Sequence, residues 1–134
     1  DAVIVSAGVN DLTRLRTPRR FEAELEALVD AISARAPGAR IALAGMPPLE
    51  RFPALPTSLQ RAFGLRGRQF DDAIRRIADR RARTAHVAIR IDSAALADRG
   101  AFSADGFHPS ERSYVPFGRA AADALVRIPE PPDL

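Results

Sequence analysis

The stretch Ala2-Val3-Ile4-Val5-Ser6-Ala7, which leads directly into Gly8, decides the fold of this chain. It is a short, nearly continuous apolar run rich in β-branched residues, as is typical of a strand buried in a parallel sheet. Residues 40–45 form a second run of this kind, and the alternation over residues 86–91 predicts a third strand. Helical patterns separate the three runs, so crossovers join parallel strands. The sequence therefore predicts an α/β fold whose sheet is covered on both faces.

Two long helices are marked by their ends and by their apolar spacing. Thr17 supplies a capping hydroxyl before Pro18, and Pro37-Gly38 closes the first helix. The second helix follows later in the chain and is expected to carry solvated arginines on its outer face. The apolar positions of the two helices are Phe21, Leu25, Leu28, Val29 and Ile32, then Phe70, Ala73, Ile74, Ile77 and Ala78.

Prolines and glycines predict breaks in two places. Over residues 49–67 they predict irregular structure, with room for only a short helical turn at residues 58–63. Pro116 predicts a kink or a restart of the last helix near Val115, because proline has no N–H to donate and crowds the preceding turn.

The length of 134 residues allows one ordinary domain. Its last helix, at residues 120–126, is expected to pack Leu125 and Val126 inward. We therefore predict a domain over residues 1–126, followed by a disordered, proline-rich tail at residues 127–134.

The composition argues against several classes of function. Cysteine is absent, which excludes disulfides, thiolate zinc sites and a cysteine nucleophile. With only two histidines, His86 and His108, the sequence implies no metal and no other cofactor. No apolar run has membrane-spanning length, so no integral membrane segment is expected. The formal charge is +3 and every basic residue is an arginine, but 17 acidic residues interleave with them. No nucleic-acid partner is therefore favoured.

Two short runs carry groups suited to acyl-transfer chemistry. In Asp105-Gly106-Phe107-His108-Pro109, an aspartate three residues before a histidine can hold its Nδ1–H and leave Nε2 free to take a proton. In Gly8-Val9-Asn10-Asp11, an asparagine just beyond a strand can offer its amide to a developing oxyanion. A base, its orienting group and an electrophilic helper are present, but neither run supplies a nucleophile.

Both runs follow predicted strands, and so does a third run, Gly45-Met46-Pro47-Pro48. In open parallel sheets, sites form beyond the carboxyl ends of the strands. The three runs should therefore meet at one edge of the sheet, where Met46 and Pro47 would support the site. His86 is interpreted as a strand-end residue far from any of these motifs.

At these residues the chain resembles the SGNH (GDSL-type) serine esterases and lipases. Gly8-Val9-Asn10-Asp11 is similar to the GxND block of that family, and Asp105-Gly106-Phe107-His108-Pro109-Ser110 is similar to its DxxH(P) block. The resemblance covers most of the chain and implies a flavodoxin-like, three-layer α/β/α fold, here reduced to about three strands. It also implies hydrolysis of a small-molecule or lipid ester.

The resemblance also implies a role for each matching residue. His108 would be the general base and then the general acid, Asp105 would orient it, and Asn10 would donate to the oxyanion. Gly8 would permit a tight turn at the strand end, with Val9 beside it, and Asp11 would brace the loop.

The family's GDS run, which carries the nucleophilic serine, does not occur in this sequence. Ser93 is the only serine that follows a predicted strand outside these motifs, and its context does not match. We therefore expect that this chain is the C-terminal part of a longer enzyme. Without the preceding strand, the first strand would be an exposed apolar edge, through which the chain would self-associate.

Three classes of function remain open from the sequence. The first is a serine-dependent ester hydrolase, which would be inactive as this chain alone. The second is a non-catalytic α/β interaction domain that keeps the scaffold. The third is an arginine-rich nucleic-acid binder, whose affinity would fall steeply with added salt. The sequence assigns no localisation.

Overall fold

The centre of the fold is a three-stranded parallel sheet, seen in a computed structural model that describes residues 1–91, 93–97 and 100–129. In spatial order the strands are β1 (Ala2–Val5), β2 (Arg40–Ala44) and β3 (Thr84–Val87). The central strand β2 pairs with both neighbours in parallel, with Val5 opposite Leu43 and Leu43 opposite His86. The predicted parallel sheet is confirmed.

Helices cover the two faces of this sheet unequally. Within the described residues they are α1 (Val9–Thr13), α2 (Pro18–Arg35), α3 (Thr57–Asp79), α4 (Ser93–Ala97) and α5 (Glu111–Arg127). Ile41 and Leu43 of β2 belong to the large core formed with α2 and α3, whereas Ala42 packs against α5. This division follows from the alternation of side chains along a strand. The result is the predicted three-layer α/β/α arrangement.

The helix α2 begins as the sequence predicts. The Thr17 hydroxyl accepts a hydrogen bond from the backbone N–H of Arg20, and Pro18 occupies the first helical position. Phe21, Leu25 and Val29 are buried on its inner face. The local signals of this segment therefore agree with its tertiary packing.

Arginines in the last turn of α3 and just beyond its end tie that helix to α2. The ion pairs are Arg76–Glu22 at 2.7 Å, Arg80–Glu26 at 2.9 Å and Arg81–Asp30 at 2.6 Å. The hydrogen bond from Arg76 is the main reason why the pKa of Glu22 lies below its ordinary value. The outer face of the second predicted helix is thus engaged with α2 as well as facing solvent.

The prediction of irregular structure over residues 49–67 is wrong beyond residue 56. The helix α3 runs unbroken from Thr57 to Asp79 and contains Gly64 and Gly67, both buried. A Cβ atom on Gly64 would lie 2.9 Å from a carboxylate oxygen of Glu50. Each glycine costs about 1 kcal/mol of helix propensity. Here glycine lets the helix approach the short 3-10 turn Leu49–Arg51 closely, and this packing offsets the cost.

Two strand predictions also need correction. The third strand is Thr84–Val87 rather than residues 86–91, because β2 ends at Ala44 and offers no ladder partner beyond Val87. The first strand is not buried on both faces, since α5 covers β2 and β3 and leaves Ile4 50% exposed. Among the described residues, β1 has a strand on one side only, so it forms the expected apolar edge.

The last helix differs from its prediction in three respects. The helix α5 runs continuously from Glu111 to Arg127, so it begins before the predicted residue 120 and the predicted restart near Val115 is wrong, while a kink there stays a prediction. Pro116 forfeits one backbone hydrogen bond, and the packing of Phe117 and Ala121 against the sheet holds the helix together. Leu125 packs inward as predicted, but Val126 is 77% exposed.

Beyond this helix, Ile128 is buried, while residues 130–134 of the predicted tail lie outside the described part of the chain. The domain limit at residue 126 therefore stays a prediction. Within the described ranges, no helix combines the length and the apolar character needed to cross a membrane.

Candidate active site

Asp105 and His108 form a closed pair on the loop before α5. Asp105 Oδ2 lies 2.6 Å from His108 Nδ1. Asp105 Oδ1 accepts hydrogen bonds from the backbone N–H groups of Phe107 and His108, each at 3.0 Å. Gly106 adopts a positive φ of 67°, a conformation that glycine takes without strain. One aspartate thus fixes both the backbone and the imidazole ring of this turn.

The charge state of Asp105 follows from those contacts. The hydrogen bond with His108, together with the two backbone N–H donors, lowers the pKa of Asp105 to about 2. Asp105 is therefore a carboxylate, which can only accept, and so the neutral His108 carries its proton on Nδ1. Nε2 has no partner among the described residues, and the His108 side chain is 71% exposed. This nitrogen is available to take a proton from a bound group.

Aromatic side chains support the loop from beneath. The ring centroids of Phe52 and Phe107 are 5.4 Å apart, and those of Phe52 and Phe102 are 4.9 Å apart, both edge to face. Phe52 and Phe102 are buried. The backbone N–H of Ser103 also donates to the carbonyl of His108 at 2.8 Å. The loop is therefore anchored to the segment that precedes α3.

Asn10 is placed by the end of β1 and the start of α1. Gly8 has a φ of 117° and caps α1, so the chain turns sharply as the strand ends. Asn10 is the second residue of α1 and is exposed. Its side-chain amide has no hydrogen-bond partner in the described part of the chain, so it is free to donate to a ligand. Asp11 instead faces Arg16, at 3.4 Å.

The two predicted runs meet at one cavity. Asn10 and His108 both line a cavity of about 690 Å³ at the carboxyl edge of the sheet. Gly8, Val9 and Pro47 line it as well. Met46 does not line it: this residue is only 7% exposed and its sulfur packs over Gly8. Of the residues to which the sequence assigned a role at this edge, all but Met46, Asp11 and Asp105 line the cavity.

Serine side chains are also present near this site. Ser6 and Ser113 line the cavity, but the Ser113 hydroxyl donates to the carbonyl of Ala101 at 2.7 Å. Ser93 lines a different cavity, which His108 does not. Among the described residues, no serine hydroxyl is hydrogen-bonded to His108.

The sequence missed a second histidine–carboxylate pair. His86 lies within β3 and its Nε2 is 2.8 Å from Asp71 Oδ1 of α3. His86 also lines the cavity, so its interpretation as a residue far from the motifs is wrong. Asp71 and His86 are separated along the chain by a helix end and a turn, and no local spacing marks them as partners. The sequence offered one indirect signal, Gly45 directly after β2, since a glycine at a strand end can mark a close approach of other groups.

A carboxylate-held imidazole and a free amide over one cavity are groups found in enzymes that hydrolyse through an activated nucleophile. Comparison with known families agrees with this class. The profile of the GDSL-like lipase/acylhydrolase family matches residues 1–115. The chain belongs to that family.

Two solved structures share the fold. One is a protein provisionally named a platelet activating factor from Streptococcus pneumonia, with a TM-score of 0.70 and 20% identity over 93% of this chain and 59% of that one. The other is a provisionally named GDSL-like lipase from Parabacteroides merdae, with a TM-score of 0.67 and 21% identity over 92% of this chain and 60% of that one. This chain therefore spans about three fifths of their length. Comparison with curated proteins found no match.

Proposed function

We propose that this chain carries the acid–base and oxyanion groups of a serine-dependent carboxylic ester hydrolase. The observation that carries the proposal is the shared cavity of Asn10 and His108, with Asp105 holding the far side of the imidazole. The family match supports esters as the substrate class. Aromatic rings of Phe52, Phe102 and Phe107 in the cavity wall suit an apolar acyl group.

The reaction we propose has two steps. A serine oxygen attacks the ester carbonyl while His108 Nε2 takes the hydroxyl proton, and Asn10 donates to the oxyanion. His108 then gives that proton to the leaving alcohol, and an acyl-enzyme remains. Water, deprotonated by His108, attacks the acyl carbon, and the proton returns to serine as the carboxylic acid leaves.

We propose that the nucleophilic serine comes from a segment of the parent protein outside this sequence. The solved neighbours are longer than this chain, and no described serine bonds to His108. The free edge of β1, which has a strand on one side only among the described residues, is consistent with a further strand there. The isolated chain would then lack esterase activity.

The test is labelling of the longer gene product with a fluorophosphonate, which reacts with activated serines. Wild-type protein should be labelled on one serine, and His108→Ala should not be labelled. The 134-residue chain alone should stay unlabelled. Equal labelling of His108→Ala would overturn the proposed base. No labelling and no hydrolysis of short- and long-chain nitrophenyl esters by the wild type would favour a non-catalytic interaction domain.

We also propose that the isolated chain self-associates through β1. Its unpaired backbone groups and the half-exposed Ile4 form an edge that another strand can extend. Ile4→Lys should shift the isolated chain from oligomer to monomer in analytical ultracentrifugation, because a charge on the strand opposes edge pairing. Val126→Lys, at another exposed apolar position on α5, is the matched control and should not. A wild-type chain that is monomeric at high concentration would contradict this.

A further inference from the structure

We propose that Asp71 and His86 are positioning residues for the Asn10 side of the site, acting through Gly45 and Met46. This inference rests on the proposed function only for its kinetic consequence. Its structural part, that Asp71 and His86 hold α3, β3 and the turn after β2 together, does not depend on the proposed function.

The Asp71 carboxylate joins α3, β3 and the turn after β2. Its Oδ1 lies 2.8 Å from His86 Nε2 and accepts the backbone N–H of Met46 at 2.9 Å. Its Oδ2 accepts from the exposed Arg75 at 2.9 Å. The His86 and Asp71 side chains are 9% and 22% exposed, so water competes little for the inner contacts. Such partly buried, charge-assisted hydrogen bonds are strong and directional.

Gly45 is the residue that lets this pair close. A Cβ atom there would lie 2.5 Å from Asp71 Oδ1 and 2.7 Å from His86 Nε2, distances at which real Cβ atoms are not found. The Gly45 N–H also donates to the carbonyl of Val87 at 2.8 Å. The hydrogen bond between the two side chains therefore passes directly over the glycine, and the turn is fixed from both sides.

Met46 connects this turn to Gly8, at the start of the helix that bears Asn10. A Cβ atom on Gly8 would lie 2.9 Å from Met46 Sδ, so the sulfur packs against the α-carbon of Gly8. The carbonyl of Gly8 accepts the N–H of Leu12 at 2.8 Å, and Gly8 caps the helix that bears Asn10. A shift of the Met46 backbone would therefore move Gly8 and, with it, the amide of Asn10.

The experiment compares His86→Phe with His86→Gln in the longer gene product. Phenylalanine keeps a ring but cannot donate to Asp71, whereas the glutamine amide can reach the place of Nε2. With His86→Phe we expect the kcat to fall by about 10- to 100-fold with KM changed less than about threefold, because small displacements of catalytic groups have effects of this size. His86→Gln should recover most of the loss. Arg75→Gln, which removes only the exposed contact, should have no effect.

A second readout does not depend on activity. The NMR signals of the Met46 N–H and of the Asn10 side-chain amide should shift in His86→Phe and return in His86→Gln. If His86→Phe does not fold, Asp71→Leu, which keeps the branched shape but can accept neither hydrogen bond, serves for the same measurement. Asn10 signals that stay in place in a folded variant would overturn the positioning role. If the wild type has no esterase activity, the proposed function fails. The NMR shifts of Met46 and Asn10 would then be the test of the positioning role.

Discussion

The molecule contains two histidine–aspartate pairs that differ in almost every structural respect. Asp105 and His108 lie three residues apart on one exposed loop. Asp71 and His86 come from a helix and a strand, and their side chains are largely shielded from solvent. An exposed pair can reach a substrate, whereas a shielded pair tied to a backbone N–H is suited to hold a turn in place. We therefore propose that the same two residue types serve separate purposes according to burial and neighbours.

The two pairs also use opposite ring nitrogens. His108 contacts its carboxylate through Nδ1 and His86 does so through Nε2. Burial raises the pKa of Asp71, but hydrogen bonds from His86 and from the Met46 N–H outweigh that effect, so the pKa lies below its ordinary value. Both aspartates are thus acceptors, and the neutral histidines carry their protons on different nitrogens.

The largest difference is expected between the two histidines themselves. In the longer gene product, His108→Ala should lower kcat/KM for an ester by at least about 10⁴-fold, because the proposed base is lost. His86→Phe should cost far less. Stopped-flow measurement of the acylation burst checks this, and a burst retained in His108→Ala would point to another base.

The next largest loss of turnover is expected when the side-chain amide of Asn10 is removed. Asn10→Ala should lower turnover by about 10²–10³-fold, the usual cost of one lost oxyanion donor. Asp11→Asn is the neighbouring control: because Asp11 faces Arg16 rather than the cavity, its turnover should stay within about threefold of wild type. Steady-state kinetics on one ester decide the comparison, and a loss under about threefold for Asn10→Ala would remove this residue from the mechanism.

Alanine substitution should change the free energy of unfolding in opposite directions at Gly45 and Gly118. Gly45→Ala forces a methyl group against Asp71 and His86, and overpacking of this kind costs about 1–3 kcal/mol. Gly118→Ala, inside α5 with open space around it, should instead stabilise by about 0.5–1 kcal/mol. Urea unfolding of both variants measures the difference. Equal midpoints would show that the Asp71–His86 pair does not pass over Gly45.

The smallest effect concerns the titration of Asp105. Its pKa of about 2 lies below the ordinary value of 3.8, so folding favours its carboxylate. Any stabilisation from it is fully present above about 3.8 and is lost as the pH falls through about 2. Carboxyl-carbon NMR should show this low midpoint, and His108→Ala should raise it because His108 is the main cause. A wild-type midpoint at or above 3.8 would contradict the pairing.

The comparison also explains what the sequence could reveal. The Asp105–His108 spacing is local, and the end of β1 is marked by a β-branched run with a glycine, so both were visible as residue patterns. The Asp71–His86 pair depends on α3 lying across β3, which no short pattern encodes. For the same reason the helix through Gly64 and Gly67 was missed. Its local propensity is poor, and the compensating contact with Glu50 comes from a separate element, the 3-10 turn before the helix.

The arginine-rich contact between α2 and α3 has a consequence for how the protein meets extremes of pH. Guanidinium groups keep their charge in any alkaline medium that a protein tolerates, so base leaves this seam intact. Acid acts on the other partner: Arg76 and Arg80 hold the pKa of Glu22 below its ordinary value, and protonation of Glu22 at still lower pH removes the anion that they bind. The ion pairs of this contact are therefore weakened from the acidic side alone, while the stacked rings of Phe21 and Phe70 still hold the two helices together.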